Sequence, residues 1–189
     1  DNVSFELNKG DFVAIVGPSG CGKSTILSIL CGLDEKSDGE ITFNNNLKIG
    51  YMLQGDNLFP WQSIFKNCML GLELNHNVNK ESKKYVEYLL NTYGLKDFIN
   101  AYPSNLSGGM RQRVSLIRTL ATKPDLLMMD EPFSALDAQS RLAVADDVYR
   151  IIKKEKKTAI MVTHDIAEAI SMADKVIVLS KRPATIKKI

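Results

Sequence analysis

The stretch Gly17-Pro18-Ser19-Gly20-Cys21-Gly22-Lys23-Ser24-Thr25 constrains this chain more than any other. It follows a short apolar run, Asp11–Val16, and opens the amphipathic run Lys23–Leu33, so it reads as a tight turn from a buried strand into a helix. Glycines at Gly17, Gly20 and Gly22 let successive backbone N–H groups converge on phosphate oxygens, and the helix start adds its positive end. Lys23 brings a compact positive charge and Ser24 a hydroxyl suited to Mg²⁺, the Gly-x4-Gly-Lys-Ser spacing of a phosphate loop. A loop of this kind needs a strand and helix packed on a sheet, and the rest of the chain supplies them. Leu126–Asp130, Thr158–Thr163 and Lys175–Ser180 are further apolar strands, separated by helical patterns at 138–157 and 165–174. That alternation predicts an α/β fold, a phosphate-loop core with a mainly parallel sheet covered on both faces.

Other segments depart from this alternation. Val3, Phe5 and Leu7 alternate as in a strand, and Gly39–Gln54 reads as short strands around an Asn-rich turn; a small antiparallel β part is expected beside the parallel sheet. A mostly helical subdomain is expected from Ile64 to about Leu106, extended by the next helix to give roughly 64–122. Within it, Val86, Leu89, Leu90 and Tyr93 form one apolar face, Gly94 ends a helix and Pro103 breaks the chain. With 189 residues, one domain with a subdomain is expected. Both ends read as truncated: the chain opens inside a strand pattern and stops at Thr185–Ile189 without a clear terminal element.

Charge and cysteine content narrow the function classes. The 24 basic and 22 acidic residues nearly balance, which argues against a surface that coats nucleic acid. Three cysteines with no Cys-x-x-Cys pair argue against a disulfide framework or zinc site. No apolar run approaches the ~18 residues of a membrane span, and Asp1–Gly10 has no signal-peptide character. Any service to a membrane is expected to run through a partner.

Four polar sites follow apolar strands. Asp130 and Glu131 close "LLMMDEP", where buried adjacent carboxylates are costly unless they meet a cation or a proton-transfer task. Asp130 suits Mg²⁺ and Glu131 suits a general base; the bland alternative is an acidic helix cap. Gln54 and His164 sit just past strands of their own, and ligands of open parallel sheets bind outside the strands' carboxyl ends. His164 and Glu168 have helical metal-ligand spacing, but Asp165 with Glu168 fits a capping box better. Met128 and Met129 read as core. A second glycine turn, "NLSGGMRQR" (Asn105–Arg113), places Ser107 as an N-cap before Gly108 and Gly109, with Arg111 and Arg113 nearby. It reads either as an ordinary capped helix or as an anion-ready start whose glycines admit something close to the backbone.

Taken together these motifs resemble the ATPase subunit of an ABC transporter, over nearly the whole chain and in family order. Gly17–Thr25 resembles the Walker A loop, Gln54 falls at the Q-loop, and "LSGGMRQR" is close to the signature motif, with Met110 where glutamine is usual. "LLMMDEP" resembles Walker B, Ser134–Asp137 the D-loop, and "VTHD" carries the switch histidine, His164. The resemblance implies that residues 1–189 form a single ATPase domain using ATP and Mg²⁺. Gly17–Thr25 would hold nucleotide, Ser24, Gln54 and Asp130 the metal, and Glu131, His164, Gln54 and Lys23 would carry catalysis. Two copies would sandwich ATP head to tail, so that Ser107, Gly108, Gly109 and Asp137 serve the partner's nucleotide.

"DNLFPWQSIFKNCMLGLEL" and "THDIAEAISMADKVIVLSKRPATI" are similar to importers of the nitrate, sulfonate and taurine group. Related importers of thiamine-precursor pyrimidines are the alternative. Permease subunits would then dock near Phe59-Pro60-Trp61, with the subunit peripheral on the cytoplasmic face of the membrane and no nucleic-acid partner. A soluble, non-transport ABC ATPase is the less favoured reading, because tandem cassettes, a charged linker and a coiled-coil insertion are not seen. A binding-only module is disfavoured by the presence of Lys23, Asp130, Glu131 and His164 together. The family's adenine-stacking aromatic normally lies upstream of the first residue here, and the regulatory C-terminal domain of some relatives is not in this sequence.

Overall fold

Strand β1, Phe12–Val16, is buried at every residue because it lies inside the sheet with a parallel neighbour on each side. A computed structural model describes residues 3–43 and 47–189 of the chain. The sheet has six strands in the order β2-β3-β4-β1-β5-β6. They are β2 Ile49–Met52, β3 Leu126–Asp130, β4 Thr158–Thr163, β5 Lys175–Leu179 and β6 Ile186–Lys188. All pairings are parallel except β5 with β6. The register pairs Val16 with Thr163, Asp130 with Val162 and Met52 with Met129, so the strands end along one edge.

Alternate strand residues feed two cores. Val13, Ile15, Leu126, Met128, Ile160 and Val162 pack with Leu27 of helix α1, Lys23–Leu30. Phe12, Ala14, Leu127, Met129 and Met161 join the opposite core, shared with α2 Ile64–Leu74, α3 Lys80–Thr92, α4 Gly108–Ala121, α5 Ala138–Lys154 and α6 Ile166–Met172. Met128 and Met129 are thus core on opposite faces, as the apolar run predicts.

Local signals set the helix ends. Asn79 and Ser82 cap α3 reciprocally through side chain and backbone. Gly94, at φ 75°, turns the chain so that the Leu95 N–H donates to the Leu90 carbonyl at 2.8 Å. Residues 64–121 carry α2, α3 and α4 and no strand. No helix among the described residues is long and apolar enough to cross a membrane. Three free cysteines stay inside or near the core, and burial pushes the Cys68 thiol up to about 12.

Two expectations need correction. Val3, Phe5 and Leu7 do face the core behind α1 while their neighbours are exposed, but among the described residues no ladder partner makes them a strand. The expected small antiparallel part is present at the edge of the sheet, β5 with β6, where the three residues of β6 are too few to show alternation in sequence. Of the segment Gly39–Gln54 only β2 is a strand, parallel to β3; Asn44–Asn46, the expected turn, lie outside the described residues.

Candidate active site

The glycine loop joins β1 to α1 at the carboxyl edge of the sheet, where Gly20 (φ 74°) and Gly22 (φ 105°) adopt left-handed backbone that side chains disfavour. Gly17 keeps ordinary backbone but has no room, since a Cβ there would meet Cys21 Sγ at 3.0 Å and Leu179 Cβ at 3.1 Å. Cys21 is therefore a buried spacer under the loop, while Pro18, Ser19 and Gly20 are exposed. Lys23 is only 5% exposed and donates from Nζ to the carbonyls of Gly17 at 2.9 Å and Pro18 at 3.2 Å. Among the described residues it has no carboxylate partner, so a buried positive charge rests on neutral acceptors, an arrangement that fits an anion. Ser19, Gly20, Gly22, Lys23, Ser24, Thr25 and Glu131 line one cavity of about 240 Å³.

The two acidic residues at the end of β3 are held differently. Asp130, 9% exposed, accepts from Ser24 Oγ at Oδ1 (2.9 Å) and from Tyr51 OH at Oδ2 (3.2 Å). Ser24 and Asp130 thus set two hard oxygen donors side by side at the cavity wall, a donor set that fits Mg²⁺. Glu131 sits at φ 42°, a left-handed conformation that costs a non-glycine residue roughly 1–3 kcal/mol. Its N–H donates to the Val162 carbonyl at 2.9 Å, and Ser134 closes the turn on its carbonyl through both N–H and Oγ. The strained turn aims the Glu131 carboxylate along the edge, where Oε2 lies 3.1 Å from His164 Nδ1. Gln54 reaches the same edge through Nε2, which donates to Ser134 Oγ at 3.3 Å.

Four separate segments therefore meet at one crevice, as their positions after apolar strands predict. Asp165 caps α6 by accepting from the N–H groups of Ala167 and Glu168. The expected box is not closed, however. Glu168 is buried and its carboxylate accepts from Thr163 Oγ1 at 2.6 Å, with the Arg141 guanidinium 3.8 Å away. Burial holds its pKa above the ordinary carboxylate value. No group of three or more His, Cys, Asp or Glu among the described residues could hold a metal.

The second glycine turn lies apart from this cavity. Ser107 caps α4 by accepting from the Met110 N–H at 3.3 Å. A Cβ on Gly109 would meet Val144 Cγ2 at 2.6 Å, and one on Gly108 would meet Leu136 Cδ2 at 3.0 Å. The close approach inferred for these glycines is thus at least partly internal: α5 and the turn before it press on the first turn of α4, and both glycines are half-buried rather than exposed. Arg111 and Arg113 do not stand as open charges either. Arg111 Nε pairs with Asp56 at 2.8 Å, and Arg113 donates to the Tyr93 carbonyl at 3.3 Å. Asp137 caps α5 by accepting from the Ser140 N–H at 2.9 Å.

Sequence reasoning missed several residues here. The hydrogen bonds of Tyr51 to Asp130 and of Gln54 to Ser134 have no sequence signal, although Tyr51 is the penultimate residue of β2, three residues before Gln54, and Ser134 opens the expected D-loop. Arg118 also escaped notice: its guanidinium donates to the carbonyls of Asn57 (2.7 Å) and Asp56 (2.9 Å), so α4 holds the turn after Gln54 with two arginines seven residues apart. Beyond that turn Phe59 and Trp61 stack at 5.1 Å, with Trp61 70% exposed. Asn67 of α2 pins this segment by accepting from the Phe59 N–H and donating to the Phe59, Gln62 and Ser63 carbonyls.

Comparison with known proteins agrees with this geometry. A family model described as ABC transporter matches residues 1–134. The uncharacterized ABC transporter ATP-binding protein YtlC of Bacillus subtilis (strain 168) is 50% identical over 194 residues, covering 100% of this chain and 75% of that protein. The aliphatic sulfonates import ATP-binding protein SsuB of Bacillus cereus (strain ZK / E33L) is 40% identical over 196 residues, covering 100% of this chain and 76% of its own length. Among solved structures, a dimeric post-hydrolysis state of the ATP-binding cassette MJ0796 bound to ADP and Pi superposes with a TM-score of 0.76 at 31% identity, covering 100% of this chain and 90% of that one. An inward-facing putative metal-chelate type ABC transporter gives a TM-score of 0.83 at 28% identity, covering 97% of this chain and 75% of that one. With the phosphate loop, the paired acids and the edge histidine in place, the chain belongs to the ABC transporter family, as one of its ATP-binding subunits.

Proposed function

We propose that this subunit hydrolyses ATP with Mg²⁺ to drive a membrane importer for a small solute of the sulfonate, nitrate or taurine kind. The observation that carries the catalytic part is the Glu131–His164 pair, 3.1 Å apart at the mouth of the glycine-loop cavity, beside Ser24 and Asp130. Amides of Gly17–Thr25 receive the phosphates, and Lys23 exchanges its two loop carbonyls for phosphate oxygens. Ser24 and Asp130 hold Mg²⁺, with Gln54 reaching in from its own loop. Bound there, the ion supplies charge stabilisation to the transferred phosphoryl group. Glu131 accepts a proton from the attacking water, and His164 orients that carboxylate through Nδ1.

Ser107, Gly108, Gly109 and Asp137 complete the site of a second copy, a reading supported by the dimeric state of the MJ0796 cassette and by a lining of this chain's own cavity that includes none of the four. Residues 64–122 act as a helical subdomain that carries Ser107, Gly108 and Gly109, while Asp137 stands at the start of α5. The exposed Phe59–Trp61 stack is the surface offered to a permease subunit, which would keep this subunit peripheral on the cytoplasmic face of the membrane. The solute class is supported by the name of SsuB. Turnover by a Glu131→Gln variant tests the chemistry: hydrolysis should fall by about 10²–10⁴-fold while ATP still binds. Hydrolysis at the unsubstituted rate would remove Glu131 from the base role.

A further inference from the structure

Tyr51 and Asp130 lie on adjacent parallel strands with Tyr51 in register with Met128, two residues before Asp130. Residues two apart share a face of a strand. Tyr51 and Met128 both pack in the core beneath α1, and Asp130 follows on that same face, where Ser24 of α1 also reaches it. Each Asp130 oxygen is thereby taken: Oδ1 by Ser24 at 2.9 Å and Oδ2 by Tyr51 at 3.2 Å. A carboxylate held by one oxygen can still rotate about its Cβ–Cγ bond, whereas one held by both has its plane set.

We infer that Tyr51 is a positioning residue for the metal–nucleotide complex, its phenol fixing the Asp130 carboxylate so that the oxygen beside Ser24 faces the cation. This rests on the proposed Mg²⁺ role of Ser24 and Asp130. Such a cation would take over Ser24 Oγ and the oxygen next to it, while Oδ2 keeps its phenol donor. Tyr51 is then the one of the two hydrogen bonds that survives loading, and it orders the ligand before and after the ion arrives. Outer partners of this kind typically set metal affinity by about 10–100-fold.

The test is Tyr51→Phe, which keeps the ring and removes only the donor. Mn²⁺ binding to protein carrying a non-hydrolysable ATP analogue is followed by electron paramagnetic resonance, with nucleotide affinity in EDTA and thermal melting measured alongside. The expected result is Mn²⁺ affinity weakened by about tenfold or more, with EDTA nucleotide affinity and melting held. Mn²⁺ affinity within about twofold of the unsubstituted protein would overturn the inference. So would a parallel fall in metal affinity, EDTA nucleotide affinity and melting, which marks a packing role only. If the unsubstituted protein itself binds no Mn²⁺–nucleotide, the proposed metal role falls and this inference falls with it, a result distinct from a change confined to Tyr51→Phe.

Discussion

At the scale of single residues, the charged groups of the site rest largely on neutral partners, Lys23 on backbone carbonyls and Asp130 on two hydroxyls. Lys23 is the clearest case, a buried ammonium satisfied only by two carbonyls of its own loop. Replacing it with alanine should weaken ATP binding by about 10–100-fold, the equivalent of a charged hydrogen bond of ~1.5–3 kcal/mol, as read by nucleotide titration. Glu168 works in the opposite sense. Burial raises its folded pKa above the unfolded value, so the folded state holds its proton longer. The contribution of this carboxyl to stability is then fully present below the ordinary carboxylate range and is lost as pH rises through the raised folded value. A melting series from acid to neutral pH should show this decline in the unsubstituted protein and a shallower one in Glu168→Gln. Equal slopes would show that ionising this carboxyl carries no folding penalty.

At the scale of elements, the joints between motifs pair motif residues with side chains and backbone outside them. Gly109 is lodged against Val144, so Gly109→Ala should destabilise the fold by about 1–3 kcal/mol in denaturant unfolding. Adding Val144→Ala makes room for the methyl group and should recover much of that loss. Stability restored without hydrolysis would separate a nucleotide role of the glycine from its packing role. Arg111 and Arg118 tie the turn after Gln54 to α4, and Arg118→Ala should raise amide exchange at 55–58 while leaving β1 and β4 protected. Unchanged exchange at that turn would mean the arginine does not restrain it.

The core strands β1, β3, β4 and β5 were legible because buried parallel strands are continuous apolar runs. The motif residues were legible because each follows such a run. Tyr51, Ser134 and Arg118 were not, since their partners are 79, 80 and about 60 residues away in sequence and no local pattern announces a cross-strand or helix–loop hydrogen bond. The strand expected at Val3–Leu7 misled for a related reason: alternation reports which side chains are buried, and a strand also requires a neighbour to pair with.

At the scale of the whole molecule, the parallel sheet delivers Gly17–Thr25, Gln54, Asp130–Glu131 and His164 to one edge, and places Ser107–Gly109 elsewhere, against α5. One chain thus presents a nucleotide cavity and, apart from it, a second glycine-led helix start. In the proposed pair that second start serves the cavity of another copy, so that a single chain binds ATP but completes a hydrolytic site only with a partner. The most direct measurement is the mass in solution of the Glu131→Gln protein, by light scattering with and without Mg²⁺–ATP. The expected result is monomer without nucleotide and dimer with it, with Gly109 substitution abolishing the dimer but not ATP binding. A Glu131→Gln protein saturated with Mg²⁺–ATP that remains monomeric would contradict it.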